Sequence, residues 1–281
     1  MKKSSDGIGI MDKPPEPSPD ELAKRSLNKI KNKIMVMSGK GGVGKSSVSV
    51  NLAIALAEKG FKVGLMDVDI HGPDIPRMLG LSGMLEASAD RKLNPMHYSD
   101  NLSAVSIESL MVNKDEAVIW RGPVKHGAIR QFLSEVAWGN LDYLIIDSPP
   151  GTGDEPLTVA QLIKDARAVI VTTPQEVALA DVRKSISFCK TVKMEILGLI
   201  ENMSGYTCPH CGKSVDLFGS GGGERTALQS GLKLLGRIPF DPRVVQCGDA
   251  GVSYSRQYAD SPVSKAFLEI VDQVAAALEK N

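Results

Sequence analysis

Residues 39–46 read Gly39-Lys40-Gly41-Gly42-Val43-Gly44-Lys45-Ser46, which satisfies G-x-x-x-x-G-K-[ST]. Glycines let the backbone turn tightly and bring successive N–H groups against phosphate oxygens, and a helix opening behind them adds its positive end. Lys45 then reaches the β- and γ-phosphates, and Ser46 offers a hydroxyl to Mg²⁺, a hard cation that prefers oxygen. Gly39 through Ser46, with Ser47 following, are the candidate nucleotide-binding residues. Two acidic clusters accompany the loop: Leu65-Met66-Asp67-Val68-Asp69, and Leu144-Ile145-Ile146-Asp147 ahead of Ser148-Pro149-Pro150-Gly151. A carboxylate just after a buried apolar strand stands at the carboxyl edge of a sheet, where a metal-bound triphosphate lies. Asp147 is the candidate carboxylate on the Mg²⁺ side, acting through water, and Asp69 the candidate that orients the attacking water.

A second chemistry lies in Cys208-Pro209-His210-Cys211-Gly212, a two-thiolate hairpin of metal-knuckle type. Thiolates suit Zn²⁺ or iron-sulfur clusters, but a closed zinc site or a cubane takes four ligands and one pair supplies two. Cys189 falls in a helical pattern and reads as a small buried hydrophobe, and Cys247 lacks metal-type spacing. A twofold dimer would supply the missing half by doubling Cys208 and Cys211 to four converging thiolates. A bridging structural Zn²⁺ stays open beside a cluster, because Cys-Pro-x-Cys-Gly is equally half of a zinc ribbon. A redox dithiol is disfavoured, since the pair does not sit at a helix N-terminus that would lower a thiol pKa.

These groups need a scaffold, and the chain has the material for one. It has 281 residues, 42% of them apolar, enough for a large α/β domain. Thirty-three basic residues balance thirty-three acidic ones, so no global field collects nucleic acid or anionic lipid. Aromatics make up 5% of the chain, leaving few platforms for stacking bases, and no specific nucleic-acid binding is expected. No apolar run approaches the ~20 residues that span a bilayer, and residues 1–19 lack an apolar stretch of signal-peptide length. A cytoplasmic protein without membrane attachment is the expectation.

Short aliphatic or β-branched runs at 34–37, 62–66, 102–107, 141–146, 168–172, 196–200 and 234–238 read as strands. Helical periodicity fills 47–59, 129–137, 177–191 and 263–278. That alternation predicts an α/β fold, a mostly parallel β-sheet with helices on both faces, right-handed crossovers and ligands at the carboxyl ends of the strands. Residues 1–30 read as a flexible tail and basic arm, with Leu22, Leu27 and Ile30 able to share a helical face. Residues 31–281 read as one P-loop ATPase domain with insertions at 78–101 and, around the cysteine pair, 204–223.

Lys40 makes the loop Gly-Lys-Gly-Gly-Val-Gly-Lys-Ser, which resembles the deviant Walker A loop of the ParA, MinD and nitrogenase iron-protein class. Within it, Asp67-Val68-Asp69-Ile70-His71-Gly72-Pro73-Asp74, Trp120-Arg121-Gly122-Pro123, Asp147-Ser148-Pro149-Pro150-Gly151-Thr152-Gly153-Asp154 and Thr173-Pro174-Gln175-Glu176 are similar to the Mrp/ApbC family of iron-sulfur cluster carrier ATPases. Glu201-Asn202-Met203-Ser204, the cysteine pair and 218–223 continue the likeness, which covers roughly residues 30–280.

The resemblance implies a slow ATPase with ATP and Mg²⁺ as ligands, and a homodimer in which Lys40 touches the partner's phosphates. Lys40, Lys45, Asp69 and Asp147 then form the catalytic set. It also implies a [4Fe-4S] cluster held transiently by Cys208 and Cys211, and apo iron-sulfur proteins and cluster assembly proteins as partners. Asn202 becomes an adenine contact, with Pro239 and Asp241 in the other wall of the base pocket. Asp181 reads as a solvated helix carboxylate rather than a holder of Lys40, and residues 120–123 receive no chemical role. The rival is a MinD- or ParA-type ATPase switch with a bridging structural zinc, drawing on the basic arm. An electron-transfer ATPase like the nitrogenase iron protein is a third reading.

Overall fold

The computed structural model describes residues 18–70, 72–88, 92–110, 122–208 and 210–279. Residues 1–17 of the expected tail, and His71, Trp120, Arg121 and Pro209 of the quoted motifs, lie outside them.

In chain order the first half runs α1 (Pro19–Leu27), β1 (Ile30–Ser38), α2 (Lys45–Glu58), β2 (Val63–Asp67), α3 (Ile75–Met78), β3 (Met96–Ser99), β4 (Leu102–Ser106) and α4 (Gly122–Glu135). The second half runs β5 (Leu141–Asp147), α5 (Asp154–Leu162), β6 (Arg167–Thr172), α6 (Glu176–Thr191), β7 (Ile196–Thr207) and β8 (Ser214–Val215). It ends with α7 (Gly222–Ser230), β9 (Leu234–Phe240), α8 (Pro242–Ala250), α9 (Tyr254–Gln257) and α10 (Pro262–Glu279).

The strands line up as β3-β4-β2-β5-β1-β6-β7-β8, with β9 also on β7. All pairings are parallel except β3 on β4 and β8 on β7, so the expected mostly parallel sheet is present. Both faces are buried because successive side chains of one strand feed opposite cores. Ile34 and Val36 enter a core with α2 and α10, while Met35 and Met37 enter one with α1, α4 and α5. Helix α2 is apolar nearly all round, as a helix covered on every side must be, and its residues from Val48 to Ala57 are buried.

The seven expected strands match observed ones to within a residue or two at their ends, except that β1 begins four residues earlier, at Ile30, and β7 runs on to Thr207. Two further strands are antiparallel and short. β3 lies in the 78–101 insertion, and β8 closes a hairpin in the 204–223 insertion through Tyr206↔Val215 and Thr207↔Ser214.

In the basic segment, residues 19–27 form a helix docked on the body. Ser18 and Glu21 build a capping box, worth about 1 kcal/mol, and Ala23 and Leu27 are buried in the α4 and α5 core. Ile30 does not share that helical face: the helix ends at Asn28, and Ile30 begins β1 opposite Leu141.

Candidate functional site: a phosphate loop joined to a cysteine hairpin

The loop after β1 turns on Gly42 (φ +80) and Gly44 (φ +77), a left-handed conformation that a side chain resists. At Gly39 a Cβ would fall 2.3–2.6 Å from the backbone of Asp181 and Val182, so only glycine lets α6 press against the loop. Gly41 faces Pro150 of the loop after β5. Lys45 and Ser46 open α2, which aims its N-terminal amides at the same place, and Ser47 lines the neighbouring cleft.

β2 and β5 pair with Asp67 opposite Asp147, so both acids arrive at the sheet edge beside the loop. Asp147 is fully buried and accepts three bonds: from Lys45 Nζ at 2.6 Å, Ser46 Oγ at 2.7 Å and Ser49 Oγ at 2.6 Å. Removing one partner of so buried an ion pair costs about 3–5 kcal/mol. Asp69 lies 4.0 Å from Lys45 Nζ. The hydroxyl of Ser46 and the carboxylate of Asp147 put two hard oxygens together, a donor set that fits Mg²⁺.

Asp67 accepts from Ser106 Oγ at 2.9 Å and from the Asp69 amide at 3.0 Å. Burial, and next the charge of Asp147, nevertheless push its carboxyl well above the usual carboxylate range. Lys40 is half-exposed on the loop. Asp181 pairs with Lys184 at 2.9 Å, as a surface helix carboxylate would.

Asn202 leaves β7 and donates from Nδ2 to the Val43 carbonyl at 2.9 Å, close enough that a Cβ on Gly44 would collide with it at 2.3 Å. It shares a cleft of about 110 Å³ with Gly44, Ser47, Pro239, Asp241 and Val245. In this cleft Asp241 caps α8 and accepts from Arg243 and from Tyr254 Oη at 2.7 Å. Burial raises its pKa, but those bonds outweigh it and hold the carboxyl below the usual range.

β7 continues past the loop. Met203 takes φ +56, which a bulky side chain rarely does, and with Gly205 (φ +76) it bends the strand out of register with β9. Cys208 follows Asn202 by six residues, about 20 Å at full extension. In the hairpin Cys208 is half-buried and Cys211 exposed. The neighbouring backbone amides of Cys211 and then His210 draw the Cys208 thiol below its usual range. Among the described residues no group of three or more His, Cys, Asp or Glu side chains is arranged to hold a metal ion, and a closed tetrahedral site takes four ligands where this pair offers two. Cys189 is buried with its thiol pushed up to about 12 by desolvation, as a small hydrophobe's would be.

Nothing in the sequence motifs assigns Glu201 a role. Its carboxylate, 0% exposed, accepts from Ser204 Oγ at 2.6 Å and from the amides of Gly221 and Gly223. It thereby caps α7 across the fold, tying the hairpin's return to β7. An acid directly after the apolar run 196–200 was the available signal. Ser49, hidden in a helix pattern, gave none.

The chain matches the family model described as ParA: NUBPL iron-transfer P-loop NTPase over residues 29–275. It is 49% identical over 263 residues to a protein of Saccharolobus solfataricus named iron-sulfur cluster carrier protein, covering 93% of this chain and 89% of the relative. Among solved structures it superposes on a nucleotide-binding protein from Archaeoglobus fulgidus in complex with ADP, with a TM-score of 0.75 and 41% identity, over 89% of this chain and 96% of that one. The cell division ATPase MinD of Pyrococcus furiosus shares the fold with a TM-score of 0.64 at 23% identity, over 87% of this chain and 98% of that one. With its phosphate loop, its strand-end acids and this extent of likeness, the chain belongs to the family of iron-transfer P-loop NTPases.

Proposed function

We propose that this protein is an ATP-hydrolysing homodimer that binds a [4Fe-4S] cluster transiently between its subunits and hands it to apo-proteins, working in the cytoplasm with the assembly proteins that load it. The observation that carries this reading is that β7 places the Asn202 amide against the phosphate loop and, directly past its end at Thr207, leads into the turn that carries the thiols of Cys208 and Cys211. A nucleotide-driven change at one end then has a covalent route to the other.

Lys45 rests on Asp147. When a triphosphate arrives, the ammonium moves to the β- and γ-phosphate oxygens, while the loop amides and the start of α2 stabilise the remaining charge. Asn202, Pro239 and Asp241 receive the adenine. Asp69 orients the attacking water, and Lys40 reaches the phosphates of the partner subunit. Ser46 and Asp147 would hold the Mg²⁺, which when bound neutralises phosphate charge. ATP favours one arrangement of subunits and hydrolysis relaxes it, which changes the spacing of the four thiolates and loosens the cargo. An exposed hairpin keeps the cluster within reach of a recipient.

The test is anaerobic reconstitution with iron and sulfide, followed by transfer to an apo-enzyme. Cluster absorbance and transfer should both vanish in Cys208→Ala; their retention would end the carrier reading. Amides that lower the Cys208 thiol pKa favour a thiolate, which suits a zinc knuckle equally well. Zinc without sulfide in the purified protein would therefore favour a ParA- or MinD-type switch with a bridging structural zinc.

A further inference from the structure

A groove of about 460 Å³ opens between α1 and α5, lined by residues that the nucleotide and thiol chemistry does not use. Ala23, Leu27 and Leu162 give it an aliphatic floor. Lys33 stands in its wall with a side chain only 6% exposed, and one of its three N–H donors is accounted for by Asp165 Oδ2 at 2.7 Å. Lys24 and Lys164 are exposed at the rim, and neither pairs with an acid among the described residues. The two acids of the lining are already engaged, Asp165 with Lys33 and Asp20 with Arg130 at 3.2 Å. With Lys33 neutralised by Asp165, the ammonium groups of Lys24 and Lys164 are the two at the groove without an acid partner among the described residues.

Charge complementarity fixes the sign of an occupant, and the floor fixes the rest. An inorganic anion or a nucleic-acid backbone would meet the lysines but leave Ala23, Leu27 and Leu162 uncovered, whereas a peptide alternating carboxylates with aliphatic side chains satisfies both. Lys33 lies five residues before Ser38 on β1, about 17 Å along the strand from the start of the phosphate loop, so the groove is separate from the nucleotide site. One wall still leads there: α5 begins at Asp154, directly after the loop that follows Asp147.

We propose that this groove is a docking site for an acidic, leucine-bearing segment of a partner protein. It extends beyond the cluster-carrier reading and does not depend on it, because neither nucleotide nor cluster is needed for the contact.

The test uses the full chain without nucleotide or metal, and fluorescence anisotropy of a labelled peptide pool built from Asp, Glu and Leu in varied order. Selected binders should weaken roughly tenfold in the double variant Lys24→Glu with Lys164→Glu, and lose affinity as salt is raised. The double variant Lys233→Glu with Lys265→Glu, exposed and equal in net charge change but remote from the groove, should bind as the parent does. Equal weakening by both double variants would reduce the effect to overall charge and overturn the proposal. So would the absence of any binder in the pool, or groove-dependent capture of a single-stranded oligonucleotide in preference to the peptides.

Discussion

Replacing Glu201 by Gln tests whether the cysteine hairpin is anchored as described. The side chain keeps its shape, but one oxygen becomes an NH₂ that faces donors, and the negative charge at the start of α7 is lost. Glu201 accepts from Ser204, Gly221 and Gly223 with no exposure to water. Bonds to a charged acceptor contribute about 1.5–3 kcal/mol each and neutral ones about 0.5–1.5, and the helix-end charge adds up to roughly 1. A local loss of about 2–4 kcal/mol follows. Amide hydrogen exchange followed by mass spectrometry should show protection of α7 and the hairpin falling about 30-fold or more, with little change in β1 and β5. Exchange in Gly222–Ser230 identical to the parent would refute the claim that this buried carboxylate holds the hairpin to the sheet.

Two further substitutions probe the nucleotide end. Asn202→Ala removes the donor on the Val43 carbonyl; one net hydrogen bond of about 0.5–1.5 kcal/mol predicts weaker nucleotide binding by roughly threefold to tenfold in titration calorimetry, and unchanged affinity would remove Asn202 from the site. Asp67 has its folded pKa raised, by burial first and by Asp147 second. The folded chain then binds more protons than the unfolded one between about pH 3.9 and that raised value, so stability falls as pH rises through the window. Asp67→Asn should therefore gain melting temperature relative to the parent as pH climbs from acid to neutral, and a constant difference across that range would contradict the assignment.

What was legible in the sequence is what local pattern encodes. The phosphate loop, the acids at strand ends and the alternation of strand with helix are each written within about ten consecutive residues, and the register Asp67↔Asp147 follows once β2 and β5 are neighbours. Contacts made across long separations were not legible. Glu201 caps a helix 20 residues further on, and Asn202 meets Val43 from 159 residues away. Helix α1 looked like a charged arm because its burial rests on two small stretches of surface, Ala23 and Leu27, that only α4 and α5 complete. β3 and β8 are too short for alternation to register, and they exist because neighbouring strands offer edges.

The proposed function turns on the count of thiolates around one cluster. Native mass spectrometry of the anaerobically reconstituted protein measures it directly. The expected result is a dimer carrying a single [4Fe-4S] cluster, reduced to bare monomer or bare dimer when Cys208 or Cys211 is replaced. A monomer that holds the intact cluster, or a dimer whose cluster survives the loss of either cysteine, would contradict it.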